Sequence, residues 1–250
     1  MTLVDETVKE IVKSLEPMES GDFGEIMIYP EQLEDAPSLD IYQQRAPDCL
    51  AHDNGNFDCS NDDISPSILG CYSPMSSPGT LILFKRNLAQ FYKSLLCTIL
   101  PKVRFVSRSD IEAGARLVTL GTYYHERFHF DCDLLRNLFG TIKRDPLLEE
   151  SLAVAYERLL LAADRKDGKS KISRMNGAFY ALLMDYAYAY NSPGYRDWSA
   201  YADDVRFSAG LVSHLQPGNY SRMQSNGVAL GEFLVGMLGK ATGGLIEKTV

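Results

Sequence analysis

Apolar positions recur at helical spacing over most of the chain. Leu3, Val4, Val8, Ile11, Val12 and Leu15 fall on one stripe and predict a short amphipathic helix over residues 3–16. Gly21 and Gly24 break that pattern, and Glu25-Ile26-Met27-Ile28-Tyr29 then predicts a strand that Pro30 ends. Periodicity is lost over residues 34–79, where Asp, Asn, Ser, Pro and Gly dominate, so this stretch reads as a long irregular insertion. Gly79-Thr80-Leu81-Ile82-Leu83-Phe84 predicts a second strand. It echoes the first strand's Gly-x-Ile/Leu-x-Ile/Leu-Tyr/Phe order, so the two are expected to pair in one small sheet.

Beyond Asn87 the pattern is helical. Leu88, Phe91, Tyr92, Leu95, Leu96 and Ile99 share a face over residues 87–100. A long helix is expected over 109–139, with Ser109 or Asp110 as N-cap and Gly140 just past its end. Pro146 suits a helix first turn, and Leu147 to Ala163 continue it. Residues 173–190 and 196–215 supply two more helices. The expected fold class is α+β: one mostly helical domain over residues 1–250, with a small β-sheet near the N-terminal half and a long irregular insertion.

Composition narrows the partners. Apolar residues make up 45% and charged residues 23%, ordinary for a globular chain able to bury a large core. The net charge of −8 argues against a general nucleic-acid binder and against docking on anionic lipid. The local basic strip 165–171 reads as a solvated loop. Cys49, Cys59, Cys71, Cys97 and Cys132 are odd in number and form no CxxC pair, which fits a reducing cytoplasm better than a disulfide framework. The first residues lack a basic segment followed by an apolar one, so no secretory signal is expected. No apolar run of about 18 residues predicts a membrane span.

The chemistry concentrates in His125-Glu126-Arg127-Phe128-His129. His residues at i and i+4 share one helix face, so two neutral imidazoles can reach one zinc at about 2.0–2.1 Å. Glu126 is turned about 100° from His125, where a carboxylate can take a proton from metal-activated water. The chain has only four His, and two of them form this motif. A third ligand is required, and a carboxylate fits because it leaves one position open. Glu149 and Glu150, on the next helix, are the candidates. They flank the stripe of Leu148, Leu152, Ala155 and Leu159, and helical phase does not separate them.

His-Glu-x-x-His, followed about twenty residues on by Glu150-Ser151-Leu152-Ala153, resembles the gluzincin type of zinc metallopeptidase over residues 115–157. The resemblance implies a zincin-like domain, Zn2+ as cofactor, Glu150 as third ligand beside His125 and His129, and a peptide or protein substrate. Signals of lesser weight surround this motif. Asp133, one turn after His129, is either a partner for a ligand imidazole or a surface carboxylate. His214 is a candidate to stabilise an oxyanion, as are Tyr186, Tyr190, Tyr195 and Tyr201. Cys132 reads as a small buried residue. Cys49, His52, Cys59 and Cys71 read as scattered loop residues rather than a second metal site, since their spacing fits no zinc-finger pattern. The same two His and a carboxylate also suit non-haem iron in an oxygenase. A zincin scaffold that only binds a protein would not need Glu126. The insertion 34–79 is expected to line or cover the cleft.

Overall fold

Thr2 opens the first helix, α1 (Leu3–Lys13), through a reciprocal cap: its hydroxyl accepts from the Asp5 amide and the Asp5 carboxylate accepts from its backbone N–H. The structure is a computed structural model and describes residues 2–16, 18–20, 26–28, 33–44, 64–74, 79–140, 145–215, 227–241 and 243–250. Two short strands follow, β1 (Glu19–Ser20) and β2 (Ile26–Met27), then α2 (Asp40–Gln43), β3 (Gly70–Ser73), β4 (Gly79–Leu83) and α3 (Lys85–Ile99). The helical body continues with α4 (Arg108–Phe139), α5 (Pro146–Lys166), α6 (Gly177–Ala187), α7 (Asp204–Leu215) and α8 (Gly227–Met237), and the chain ends in β5 (Leu245–Thr249). The fold is α+β and mostly helical, as the periodicity predicts.

The caps explain the boundaries of the two helices that matter most. Ser107, not Ser109 or Asp110, caps α4, and Asp110 is the third residue of the same capping box. The Asp110 carboxylate also accepts from the Asn176 amide at 2.7 Å, which fixes the start of α6. Gly140 closes α4 in the left-handed region at φ 65°, a conformation that suits glycine. Asp145 accepts from the Leu148 amide and Pro146 opens α5. The long segment expected over 196–215 divides into a 3-10 turn, Tyr195–Tyr201, and α7. The helix expected over 173–190 is shorter, because Asn176 caps α6.

Strand pairing departs from the expectation. β2 pairs antiparallel with β1 in a local hairpin, not with β4. β4 is the middle strand of a separate sheet in the order β3-β4-β5, antiparallel to β3 and parallel to β5. Its side chains alternate as a two-sided strand requires. Leu81 and Leu83 enter the larger core, while Ile82 packs with Cys71 and Phe84 on the other face. The insertion is therefore not wholly irregular, since β3 and α2 lie within 34–79, while 45–63, with Cys49, His52 and Cys59, lies outside the described residues.

Two hydrophobic clusters hold the helices. The larger takes Ile111, Leu117 and Val118 of α4 with the apolar faces of α1, α3 and α6. The second takes Phe128, Cys132 and Leu135 of α4 with Leu152 and Tyr156 of α5 and Phe207 and Leu211 of α7. α4 is 32 residues long, roughly 48 Å at helical rise, and runs through both. His125 and Glu126 fall where one cluster gives way to the other. Among the described residues no helix is long and apolar enough to cross a membrane.

Candidate metal centre

α4 and α5 pack antiparallel, with Tyr124 at Asp164 and Arg136 at Glu149, and this pairing brings the motif and the glutamates together. His125 Nε2 lies 3.0 Å from Glu150 Oε2, His129 Nε2 lies 3.2 Å from His125 Nε2, and His129 Nε2 lies 3.6 Å from Glu150 Oε2. Nitrogen and oxygen ligands on a tetrahedral zinc stand about 3.3 Å apart, and the three distances bracket that value. His125, His129 and Glu150 are all buried, and they are the group among the described residues able to hold a metal ion. Two nitrogens and one carboxylate oxygen are a donor set that zinc accepts.

The far side of each imidazole faces another carboxylate of α5. His129 Nδ1 donates to Glu149 Oε1 at 2.9 Å. His125 Nδ1 stands 3.5 Å from Glu157 Oε2 and has no direct hydrogen-bond partner. Glu150 and Glu157 are seven residues apart, two helical turns, so one helix face carries both. Glu149 is also fully buried, because α5 is covered on nearly its whole circumference from Glu149 to Glu157. The glutamate pair is separated by what each carboxylate meets: Glu150 joins the His pair and Glu149 stands behind His129.

Burial pushes the His125 imidazole down, but Glu150 and Glu157 outweigh it and raise it to about 9. Burial likewise disfavours charge on His129, and Glu150 and Glu149 overcome it, so that its pKa lies well above the ordinary value. Burial would raise Glu149, yet His129, His214 and Arg136 hold it well below the carboxylate range. His129 and His125 do the same for Glu150. The carboxylates around the pair thus favour positive charge between them, which protons on the imidazoles or a divalent cation would supply.

This balance sets a pH dependence for the metal-free protein. Groups with raised pKa stabilise the fold below the unfolded imidazole value, about 6.5, and lose that effect as pH rises through about 9. Groups with lowered pKa stabilise it above the unfolded carboxylate value, about 4.3, and lose that effect on acidification. Chelator-treated protein should therefore melt highest between about pH 4.5 and 6.5 and progressively lower toward pH 9. A melting temperature that rises steadily from pH 6.5 to 9 in the metal-free protein would contradict the network.

A cavity of about 30 Å3 adjoins the triad, walled by His125, Glu126, Glu157, Thr122, Tyr188 and Leu69 among others. That volume is large enough for a water, which needs about 10–15 Å3. Glu126 shares this cavity with His125, and β3 passes directly over it. A Cβ on Gly70 would come within 2.8 Å of Thr122 Cγ2 and 3.0 Å of Glu126 Cγ, so the strand lies this close only because residue 70 is glycine. Gly70→Val is expected to destabilise the fold by about 1–3 kcal/mol through overpacking, read as a lower melting temperature. Wild-type stability in that variant would mean β3 does not press on α4. On the other side, Gly194 at φ 84° stands against Glu150, and the Tyr195 ring stacks on His125 with centroids 5.7 Å apart.

The remaining candidates are placed as follows. His214 stands at Glu149, with Nε2 3.1 Å from Glu149 Oε2, which puts it one carboxylate away from the triad, on the Nδ1 side of His129. The oxyanion role expected of it has no geometric support here. Asp133 does not back an imidazole: it accepts from the Tyr72 hydroxyl at 2.9 Å and stands 3.8 Å from Arg136. Cys132 is buried in the second hydrophobic cluster. Tyr190 lines the cavity and packs against Tyr195, whereas Tyr186 contacts Lys102 and Tyr201 packs in the second cluster. Sequence reasoning missed Arg136 and Glu157, although each sits seven residues, two turns, from a site residue, His129 and Glu150 respectively. The edge strand beside the motif is β3 rather than β4, so the last part of the insertion, at Leu69 and Gly70, does reach the cavity. No family model, no curated protein and no solved structure matches this chain.

Proposed function

We propose that the protein is a zinc-dependent hydrolase acting on peptide bonds, with His125, His129 and Glu150 as metal ligands and Glu126 as general base. The observation that carries this reading is the convergence of the three ligand atoms, 3.0 to 3.6 Å apart, in a pocket where carboxylates face both imidazoles. Zinc supplies Lewis acidity, which polarises a carbonyl and lets water attack near neutral pH. Glu126 accepts the proton of the attacking water and delivers it to the departing amine, as a carboxylate in the cavity beside His125 is able to do. Glu149 and Glu157 keep the imidazoles turned toward one point. Tyr195 and the turn at Gly194 close the site and limit water.

The cavity is too small for a peptide, so substrate entry on this reading needs β3 or the 192–195 turn to move outward. The test is metal analysis of protein purified without added metal, paired with a peptide-release assay on an unfolded protein substrate. About one zinc per chain and chelator-sensitive cleavage are expected. Iron in place of zinc would favour oxygen chemistry on the same ligands, and a chain that binds no divalent metal overturns both.

A further inference from the structure

Glu149 is buried among three polar side chains, His129, Arg136 and His214. Its Oε1 accepts from His129 Nδ1 at 2.9 Å and its Oε2 from Arg136 Nη1 at 2.6 Å, while His214 Nε2 stands 3.1 Å from that Oε2 and 3.2 Å from the same Arg136 Nη1. These partners come from different parts of the chain. Arg136 lies two turns beyond His129 on α4, and His214 projects from α7 with its side chain fully buried. Arg136 is itself steadied by Asp133, which the Tyr72 hydroxyl of β3 holds at 2.9 Å.

We infer that Glu149 is a positioning residue for His129, locked by Arg136 and His214, and that it is not a ligand. The inference rests on the reading of His129 as a metal ligand. An imidazole has two nitrogens, and only the one without a proton can bind a metal. An acceptor on Nδ1 keeps the proton there and leaves the Nε2 lone pair aimed at His125 Nε2 and Glu150 Oε2. A carboxylate free to rotate could instead swing toward the metal and compete with Glu150. Arg136 on Oε2 opposes that swing, because turning Glu149 would leave its guanidinium without a carboxylate, and His214, in contact with both groups, holds the pair in place. His214 thereby acquires a role: it ties the seat of α7 to the orientation of a residue in the metal site. His125 has the looser arrangement, with Glu157 at 3.5 Å, so the two imidazoles are held unequally.

The test measures zinc affinity by competition with a chromophoric chelator, and the visible absorption of the cobalt(II)-loaded protein as a report on ligand geometry. Glutamine at 149 has one acceptor where the carboxylate meets His129 Nδ1 on one oxygen and Arg136 Nη1 on the other. Either its amide N–H2 opposes Arg136, or it turns to His129 and drives the proton onto Nε2. Glu149→Gln should therefore weaken zinc binding about 10–100-fold and alter the cobalt spectrum. His214→Leu removes the polar contact to both Arg136 and Glu149 and should weaken binding in the same direction, whereas His214→Gln, whose amide can accept from Arg136 or donate to Oε2, should restore it. Far-ultraviolet circular dichroism of each metal-free variant identifies any that fail to fold, and the His214 pair decides the matter if Glu149→Gln is one of them. Wild-type affinity and an unchanged cobalt spectrum in Glu149→Gln, or equal affinity in His214→Leu and His214→Gln, overturn the inference. A wild-type chain that takes up neither zinc nor cobalt overturns instead the metal reading beneath it.

Discussion

Replacing His129 by alanine is expected to leave the protein without bound zinc, against about one zinc per chain in the wild type. Three ligand atoms converge in the structure, and two of them are the Nε2 atoms of His125 and His129. Two protein ligands with water do not form the three-ligand set of a stable catalytic site. The substitution also removes one of the groups that offset the charges of Glu149 and Glu150, leaving Arg136 and His125 to do so, and the metal-free variant should melt below the metal-free wild type. His129→Gln separates the two effects. Its amide can still donate to Glu149, yet it offers no imidazole to the metal. The glutamine variant should be better folded than the alanine variant and as empty of zinc. His125→Ala is expected to behave like His129→Ala. Zinc retained at full stoichiometry in both His→Ala variants would place the metal elsewhere and remove the basis of the proposed function.

Glu126→Gln should do the opposite: keep the zinc and lose the reaction. Glu126 is not one of the three converging ligands, so its neutralisation leaves the donor set intact. Glutamine fills nearly the same space under Gly70, which matters where β3 approaches the Glu126 side chain this closely. What disappears is the proton acceptor. General-base catalysis is worth about 10²–10⁴-fold, so peptide hydrolysis should fall by about 10²-fold or more with metal content and melting temperature unchanged. The informative comparison is the turnover number at saturating substrate, since binding contacts are left in place. Loss of zinc in this variant would make Glu126 a ligand. Full activity would remove it from the mechanism and favour a scaffold or oxygenase reading of the same pocket.

The likeness to gluzincins rests on the motif and the glutamate that follows it, with no matching family or fold to extend it. For that reason the decisive measurements are of the site and not of the overall architecture. Metal content, the fate of the proton on Glu126 and the lock on Glu149 can each be read in the full chain without knowing the natural substrate.

What the sequence determined by itself was local. Periodicity located the helical body because apolar side chains must share one face to be buried, and this rule acts within a few turns. Pro146 and Gly140 marked helix ends because the constraint lies in their own backbone. The i, i+4 spacing of His125 and His129 ensured that both rings share a face once a helix forms. The cap of α4 was misplaced at Ser109 or Asp110, because Ser107 is identified only by the reciprocal hydrogen bonds it makes with Asp110. Tertiary structure decided the rest. β5 joins β4 in parallel from the far end of the chain, and no short-range pattern in a five-residue strand names its neighbour. Helical phase could not assign Glu149 and Glu150, because α5 is buried all round and both carboxylates point into protein. Their difference comes from what meets them: the two imidazoles at Glu150, and Arg136, His214 and the back of His129 at Glu149. A buried charge takes its role from the opposite charges packed around it, and those come from α4 and α7, brought to one point only by the fold.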